Sequence, residues 1–434
     1  AIAAVRERTS SAGTDTSAQN AAKNFFHANF PNGYLGVNPP DPTVNLQTVN
    51  GAWVATVTAS ATSPTYFAKV LGFNSFNVGA HSEATKPALD MMLVLDCTGS
   101  LAPPYSPSTT FPRLKAAAIY FINQFQSASG GDRIGLVTFS NGVGNFSEGF
   151  IPIDKTSTRG FDRTAMTNAI NNLSASGWTA SAEAMRRAFA ELNAIPTSLR
   201  SAHRVIVFFS DGAPNTIAGN FSAFSGAPNG DLPSGLSTRG FPNSFYSSLS
   251  RDNSLGAHSV SSLPQTMDYS YTGSYIDPKT SQSTPRYEAL TQTISLQSYD
   301  NKRSLSTSIA NNACNVNKAA RNMLENIANT ARSGSGNDAV TVMTLGLGSE
   351  LYSLELDCPD YGADTPGNTE YGANILRRLA NTKDPDPNYP SRYSVPVDTY
   401  NSSQPTGLFC WARTDNDLTP CFNAIANAIL RLSK

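Results

Sequence analysis

Charge is scarce in this chain. Asp, Glu, Lys and Arg make up 15% of its 434 residues, against ~25% in ordinary soluble domains. Ser, Thr, Asn and Gly take their place, a balance that suits an exposed, secreted or cell-surface protein better than a cytosolic enzyme. Cations and anions nearly cancel, leaving a net charge of −1. That excludes the electrostatic footprint of a protein that binds nucleic acid or an anionic membrane. Long apolar runs are missing too: none approaches the ~20 residues that cross a bilayer. The start, Ala1-Ile2-Ala3-Ala4-Val5, has neither an initiator Met nor a signal-peptide pattern. It reads as processed or truncated, so any targeting or membrane-anchoring segment would lie outside it. No Cys-x-x-Cys pair occurs among Cys97, Cys314, Cys358, Cys410 and Cys421, and the four histidines are scattered. Zinc-ligand spacing is therefore absent.

What is present falls into three regions, and the length exceeds the roughly 100–200 residues of one ordinary domain. Residues 1–86 read as a small α+β unit. Ala18–Asn29 carries apolar residues at helical spacing and stops at Pro31-Asn32-Gly33, and Thr43–Val49 and Trp53–Ala59 alternate around the hairpin signal Asn50-Gly51. Thr65–Leu71 suits a short helix and Ser75–Ala84 a further strand. Residues 87–434 alternate strands with helices, the pattern of a doubly wound, mostly parallel α/β sheet. Met91–Leu95, Ile134–Phe139, Val205–Phe209, Val340–Leu345 and Gly407–Ala412 are the expected strands, with Gly149–Ile153 paired to the second as a hairpin. Arg113–Ala128, Asp162–Leu173, Ser181–Ala194, Val316–Ala331, Asn374–Ala380 and Leu418–Leu432 are the expected helices. Residues 213–312 interrupt this alternation after the fourth of these elements' strands with a Ser-, Gly-, Pro-, Asn- and Tyr-rich insertion. A loop of that length is either functional or partly disordered. Its Phe and Tyr content argues against full disorder, and its place after Asp211 makes it the expected determinant of what the protein binds.

The chemistry gathers at strand ends. Met91–Leu95 runs into Asp96-Cys97-Thr98-Gly99-Ser100, and Val205–Phe209 into Ser210-Asp211-Gly212. Ligands of open α/β sheets bind where the carboxyl ends of strands open a crevice. A third loop, Ser176–Ser181, offers the Thr179 hydroxyl. Two carboxylates and three hydroxyls, Asp96, Thr98, Ser100, Thr179 and Asp211, can therefore converge on one hard cation, which prefers oxygen ligands. Any one of these motifs alone is as easily a polar turn; the three loops together are much less so. An aspartic-protease reading of Thr98-Gly99-Ser100 fails, because Cys97 interrupts the tripeptide, no second copy exists and the strands alternate with helices.

Asp96-x-Thr98-x-Ser100, then Thr179, then Asp211-Gly212 resembles the metal-ion-dependent adhesion site of von Willebrand factor A domains. Thr98 stands where that motif has Ser and keeps the hydroxyl. The resemblance covers roughly 88–212 and 314–434. It implies Mg²⁺ as the cofactor, with Mn²⁺ or Ca²⁺ as substitutes, and a partner's carboxylate in an open coordination position. Ala21-Ala22-Lys23-Asn24-Phe25-Phe26 running into Ala28-Asn29-Phe30-Pro31, Pro64-Thr65-Tyr66-Phe67 before Leu71-Gly72, and the ending Ile425–Ser433 are similar to TadG-type proteins of the bacterial tight-adherence pilus system. That resemblance implies a bacterial envelope or surface protein active in adhesion or pilus assembly.

The sequence shows no paired acid and base, no nucleophile elbow and no phosphate-cradling glycine loop, so no enzymatic activity is expected. The alternative to an adhesive protein is a structural subunit of an extracellular assembly, in which the ion only stiffens loops. Partners are expected to be proteins, or further copies of the chain, and not nucleic acid. For the cysteines, Cys410–Cys421 and Cys314–Cys358 are the expected disulfides, with Cys97 free.

Overall fold

A computed structural model describes residues 1–8, 13–49, 52–127, 131–140, 159–176, 179–214, four three-residue strands between 266 and 295, 313–352, 372–382 and 400–431. The first region opens with two helices, α1 (Ile2–Arg8) and α2 (Asp15–Asn29). Thr14 caps α2 by accepting from the Ser17 amide while the Ser17 hydroxyl accepts from the Thr14 amide, a reciprocal capping box. Strands β1 (Thr43–Val49), β2 (Ala52–Pro64) and β3 (Ser75–Lys86) form an antiparallel sheet in that order. The helices cover one face of it through Ala4, Val5, Ala18 and Ala22, packed around Ala55. The expected hairpin is there, with Val49 opposite Ala52. The short helix expected from Thr65 is a single 3₁₀ turn, Ala68–Leu71.

The larger sheet has five strands: β4 (Leu89–Asp96), β5 (Arg133–Phe139), β6 (His203–Ser210), β7 (Thr341–Leu347) and β8 (Phe409–Ala412). Their spatial order is β8-β7-β6-β4-β5, and every pairing between them is parallel. Order reverses between β4 and β6, which makes this a doubly wound α/β fold with its crevice at that point. Helices α3 (Thr110–Ile122), α4 (Arg163–Asn171), α5 (Ser181–Asn193), α6 (Ala313–Arg332), α7 (Gly372–Ala380) and α8 (Leu418–Arg431) cover both faces. The strands read as unbroken apolar runs because alternate residues enter two cores. Met92, Val94, Phe139, Ile206 and Phe208 pack under α5, α6 and α7. Met91, Leu93, Leu95, Val207 and Phe209 pack under α3, α4 and α8.

Within the expected insertion, the described strands are short antiparallel pairs, Thr266–Asp268 with Thr293–Ser295 and Ser274–Ile276 with Ser283–Pro285. The rest of 213–312 beyond Pro214, and the expected strand Gly149–Ile153, lie outside the described residues.

Candidate metal centre

β4 delivers Asp96 as its last residue, and β6, hydrogen-bonded beside it, ends at Ser210, one residue before Asp211. The two carboxylates therefore emerge from adjacent strands at the same sheet edge. After Asp96 the chain turns. The Thr98 amide donates to Asp96 Oδ1 at 2.8 Å, and a 3₁₀ turn at Gly99–Leu101 brings Ser100 back over the edge. Ser100 Oγ lies 2.9 Å from both Thr98 Oγ1 and Asp211 Oδ1, and Thr98 Oγ1 is 3.5 Å from the same Asp211 oxygen. Four of the five residues named from sequence thus form one connected oxygen cluster.

Thr179 comes from the loop before α5 and is buried. The residue after it, Ala180, donates its amide to the Ser140 carbonyl at the end of β5, and Ser176 donates to the Cys97 carbonyl. Those two bonds pin the third loop to the β4–β5 edge. The sequence reading missed Ser210. Its hydroxyl donates to Asp96 Oδ2 at 2.7 Å and occupies the oxygen that Thr98 leaves free. The only signal for it was its position as the last residue of a buried strand, beside Asp211. Ser140 Oγ, just after β5, and Ser181 Oγ, on the first residue of α5, are buried with no hydrogen-bond partner among the described residues.

Asp96 is fully buried and Asp211 8% exposed, whereas Ser100 opens to solvent. Burial pushes the Asp96 carboxyl up to about 6. Burial and then the neighbouring Asp96 charge push Asp211 up to about 8. Four other buried carboxylates face cations. Asp90 faces Arg133 and Arg159, Asp132 faces Lys86, Glu191 faces Arg187 and Glu325 faces Arg378. Asp96 and Asp211 meet only hydroxyls and amides among the described residues. Two adjacent buried acids without a cation are strongly disfavoured as a charged pair. The donor set is all oxygen, two carboxylates and hydroxyls, which fits a hard divalent cation. Among the described residues no group of three or more His, Cys, Asp or Glu forms a metal site of another kind.

Of the expected disulfides, Cys410–Cys421 is formed, joining β8 to α8. Cys97 is buried and forms no disulfide. The other expected pair, Cys314–Cys358, lies outside the described residues and side chains. No described helix is long and apolar enough to cross a membrane.

Residues 91–213 match the family model of the von Willebrand factor type A domain, and the parallel sheet with its helices is a fold of that type. No curated protein matches the chain. Among solved structures it is similar to a von Willebrand factor type A protein from Catenulispora acidiphila, at 12% identity and a TM-score of 0.34, over 91% of this chain and 51% of that one. It is also similar to the PilB minor pilin from Streptococcus sanguinis, at 11% identity and a TM-score of 0.37, over 92% and 80% of the two chains. A third is the pilus adhesin RrgA from Streptococcus pneumoniae, at 12% identity and a TM-score of 0.35, over 90% and 49%. The chain spans about half the length of the first of these.

Proposed function

We propose that this chain is a metal-dependent binding protein of the bacterial cell surface or envelope, and not an enzyme. Asp96, Ser100 and Asp211 would hold one Mg²⁺-like ion, with Thr98 and Thr179 coordinating directly or through water. When bound, the ion supplies an open position for a carboxylate from a protein partner or another copy of the chain. The protein's own residues do the rest. Thr98 and Ser210 orient the Asp96 carboxylate from its two oxygens, and exposed Ser100 marks the side from which a partner reaches the site. The observation that carries this reading is that, among the described residues, no basic side chain stands beside Asp96 and Asp211, when the buried acids Asp90, Asp132, Glu191 and Glu325 each have one. Adhesion or pilus assembly of the TadG type is the setting suggested by the sequence resemblances in residues 21–31, 64–67 and 425–433.

Calorimetric titration with Mg²⁺ tests the site. The wild-type chain should bind one ion. Asp96→Ala should bind none, because one remaining carboxylate cannot offset dehydration of the ion. Undiminished binding by that variant would sink the assignment.

A further inference from the structure

Outside the parallel sheet, the strongest departure from ordinary burial is on the hairpin of β2 and β3. β1 pairs with β2 only as far as Thr58. Beyond it, Ala59–Pro64 and Ser75–Ala80 pair only with each other among the described strands. This ribbon is about 20 Å long at the usual rise per residue. Register places Ala59, Ala61, Phe76 and Val78 on the same face as Ala55 and Ala84, where α1 and α2 pack at the root. The apolar face continues past the point where the helices stop. At the end of the ribbon, the turn Ala68–Leu71 closes on Gly72 at φ +88°. There Phe67, Val70 and Leu71 stand 93%, 88% and 76% exposed, flanked by exposed Tyr66 and Phe73. An apolar group of this kind on a protein's surface marks an interaction site.

We infer that this tip enters the boundary between headgroups and acyl chains of a lipid bilayer, docking the chain peripherally on a membrane. Three features favour lipid over a protein groove. The turn pairs part of its own backbone: the amides of Thr65, Val70, Gly72 and Phe73 donate to Asn74, Phe67, Lys69 and Ala68 carbonyls. Each such internal bond lowers the cost of apolar surroundings. From Ala59 to Ser82 there is no carboxylate and a single lysine, Lys69, whose stem can lie among apolar groups with its ammonium at the phosphates. The stem of the ribbon carries Ser60, Thr62, Ser63, Asn74 and Asn77, uncharged hydrogen-bonding groups suited to the headgroup layer. Such insertion is peripheral and needs no spanning segment, unlike the anchoring expected from sequence.

Vesicle flotation of the full chain, with phosphatidylethanolamine and phosphatidylglycerol, is the test. The wild type should float with the vesicles. Phe67→Ser/Leu71→Ser should lower the floating fraction's partition coefficient roughly tenfold or more, with an unchanged unfolding temperature, since both side chains are already in solvent. As an independent readout, Phe67→Trp emission should shift to the blue on adding vesicles. A wild-type chain that stays with the unbound fraction, a double variant that floats equally, or a Phe67→Trp spectrum insensitive to lipid would each overturn the inference. So would sedimentation in lipid-free buffer showing an oligomer that the double variant dissolves, because the tip would then be a contact between copies.

Discussion

At Asp96 and Asp211, burial without a counter-ion turns two side chains into a pH-dependent liability for the metal-free protein. Both carboxyls titrate higher folded than unfolded, Asp96 at about 6 and Asp211 at about 8, against about 4 in an unfolded chain. As pH rises above about 4, the unfolded chain loses these protons first, so the folded state binds more of them. Stability must therefore fall with rising pH until about 8, and level off above it. In the presence of a chelator we expect thermal unfolding to show this decline, the larger part of it from Asp211, whose carboxyl is shifted furthest. Saturating Mg²⁺ should restore most of it near pH 8 and little near pH 4, where protons compete for the same oxygens. Asp211→Asn removes one charge while keeping an acceptor for Ser100. At pH 8 without metal it should unfold at a higher temperature than the wild type, and it should gain nothing from Mg²⁺. Calorimetric scans with and without the ion decide this; a metal-free Asp211→Asn protein less stable than wild type at pH 8 contradicts the account. Ser210→Ala tests orientation separately from ligation. Losing the 2.7 Å bond to Asp96 Oδ2 should weaken Mg²⁺ by about 10-fold or more while leaving one ion bound.

Strands and helices were legible in proportion to how closely their sequence pattern follows their burial. β4, β5 and β6 read as strands because both of their faces are buried, so nearly every position is apolar. α1 was not legible: its seven residues bury only Ala4 and Val5, too few to set a helical period. α3 was expected to run to Ala128 but ends at Ile122. Phe125 sits at helical spacing and is fully buried, so a turn beyond the helix carries on its apolar pattern. β2 extends further than expected, to Pro64, because residues on the ribbon are exposed and the sequence there has no burial alternation to read; β3 gains only Thr85 and Lys86, at the root. In the loops at the sheet edge, residue types were enough to single out Asp96, Thr98, Ser100 and Asp211, which the fold brings together. Ser210 could not be found that way, since a serine on a strand is common and only the register reveals what it faces. The disulfide joining β8 to α8 closes a short loop, with a sequence separation of 11. Cys410→Ser/Cys421→Ser should lower stability by roughly 2–4 kcal/mol in denaturant unfolding. Its Mg²⁺ affinity should not change, because β8 stands two strands away from β6 in the sheet. A large loss of Mg²⁺ affinity in that variant would mean that the sheet edge transmits distortion across β7.

For the whole molecule, the decisive contact is where the antiparallel sheet hands over to the parallel one. β3 ends at Lys86, and β4 begins three residues later at Leu89. Lys86 does not turn to solvent. It is 7% exposed, and its ammonium lies 3.0 Å from Oδ2 of Asp132, which precedes β5 and also accepts the Gln126 amide. This buried ion pair locks the last residue of the first sheet onto the second. Removing the lysine alone would leave Asp132 buried without its ion-pair partner, a defect that typically costs about 3–5 kcal/mol. Lys86→Met should therefore destabilise the chain by about that amount and speed proteolytic cleavage near Pro87. Adding Asp132→Asn removes the stranded charge but keeps an acceptor for the Gln126 amide, and should recover more than half of the lost stability. The two cleavage rates separate stability from locking. If the pair holds the junction, the double variant regains stability yet is still cut faster than wild type, because two neutral side chains at these positions cannot hold the strand end in place. Wild-type cleavage rates in the double variant would show that the short linker alone fixes how the two sheets meet.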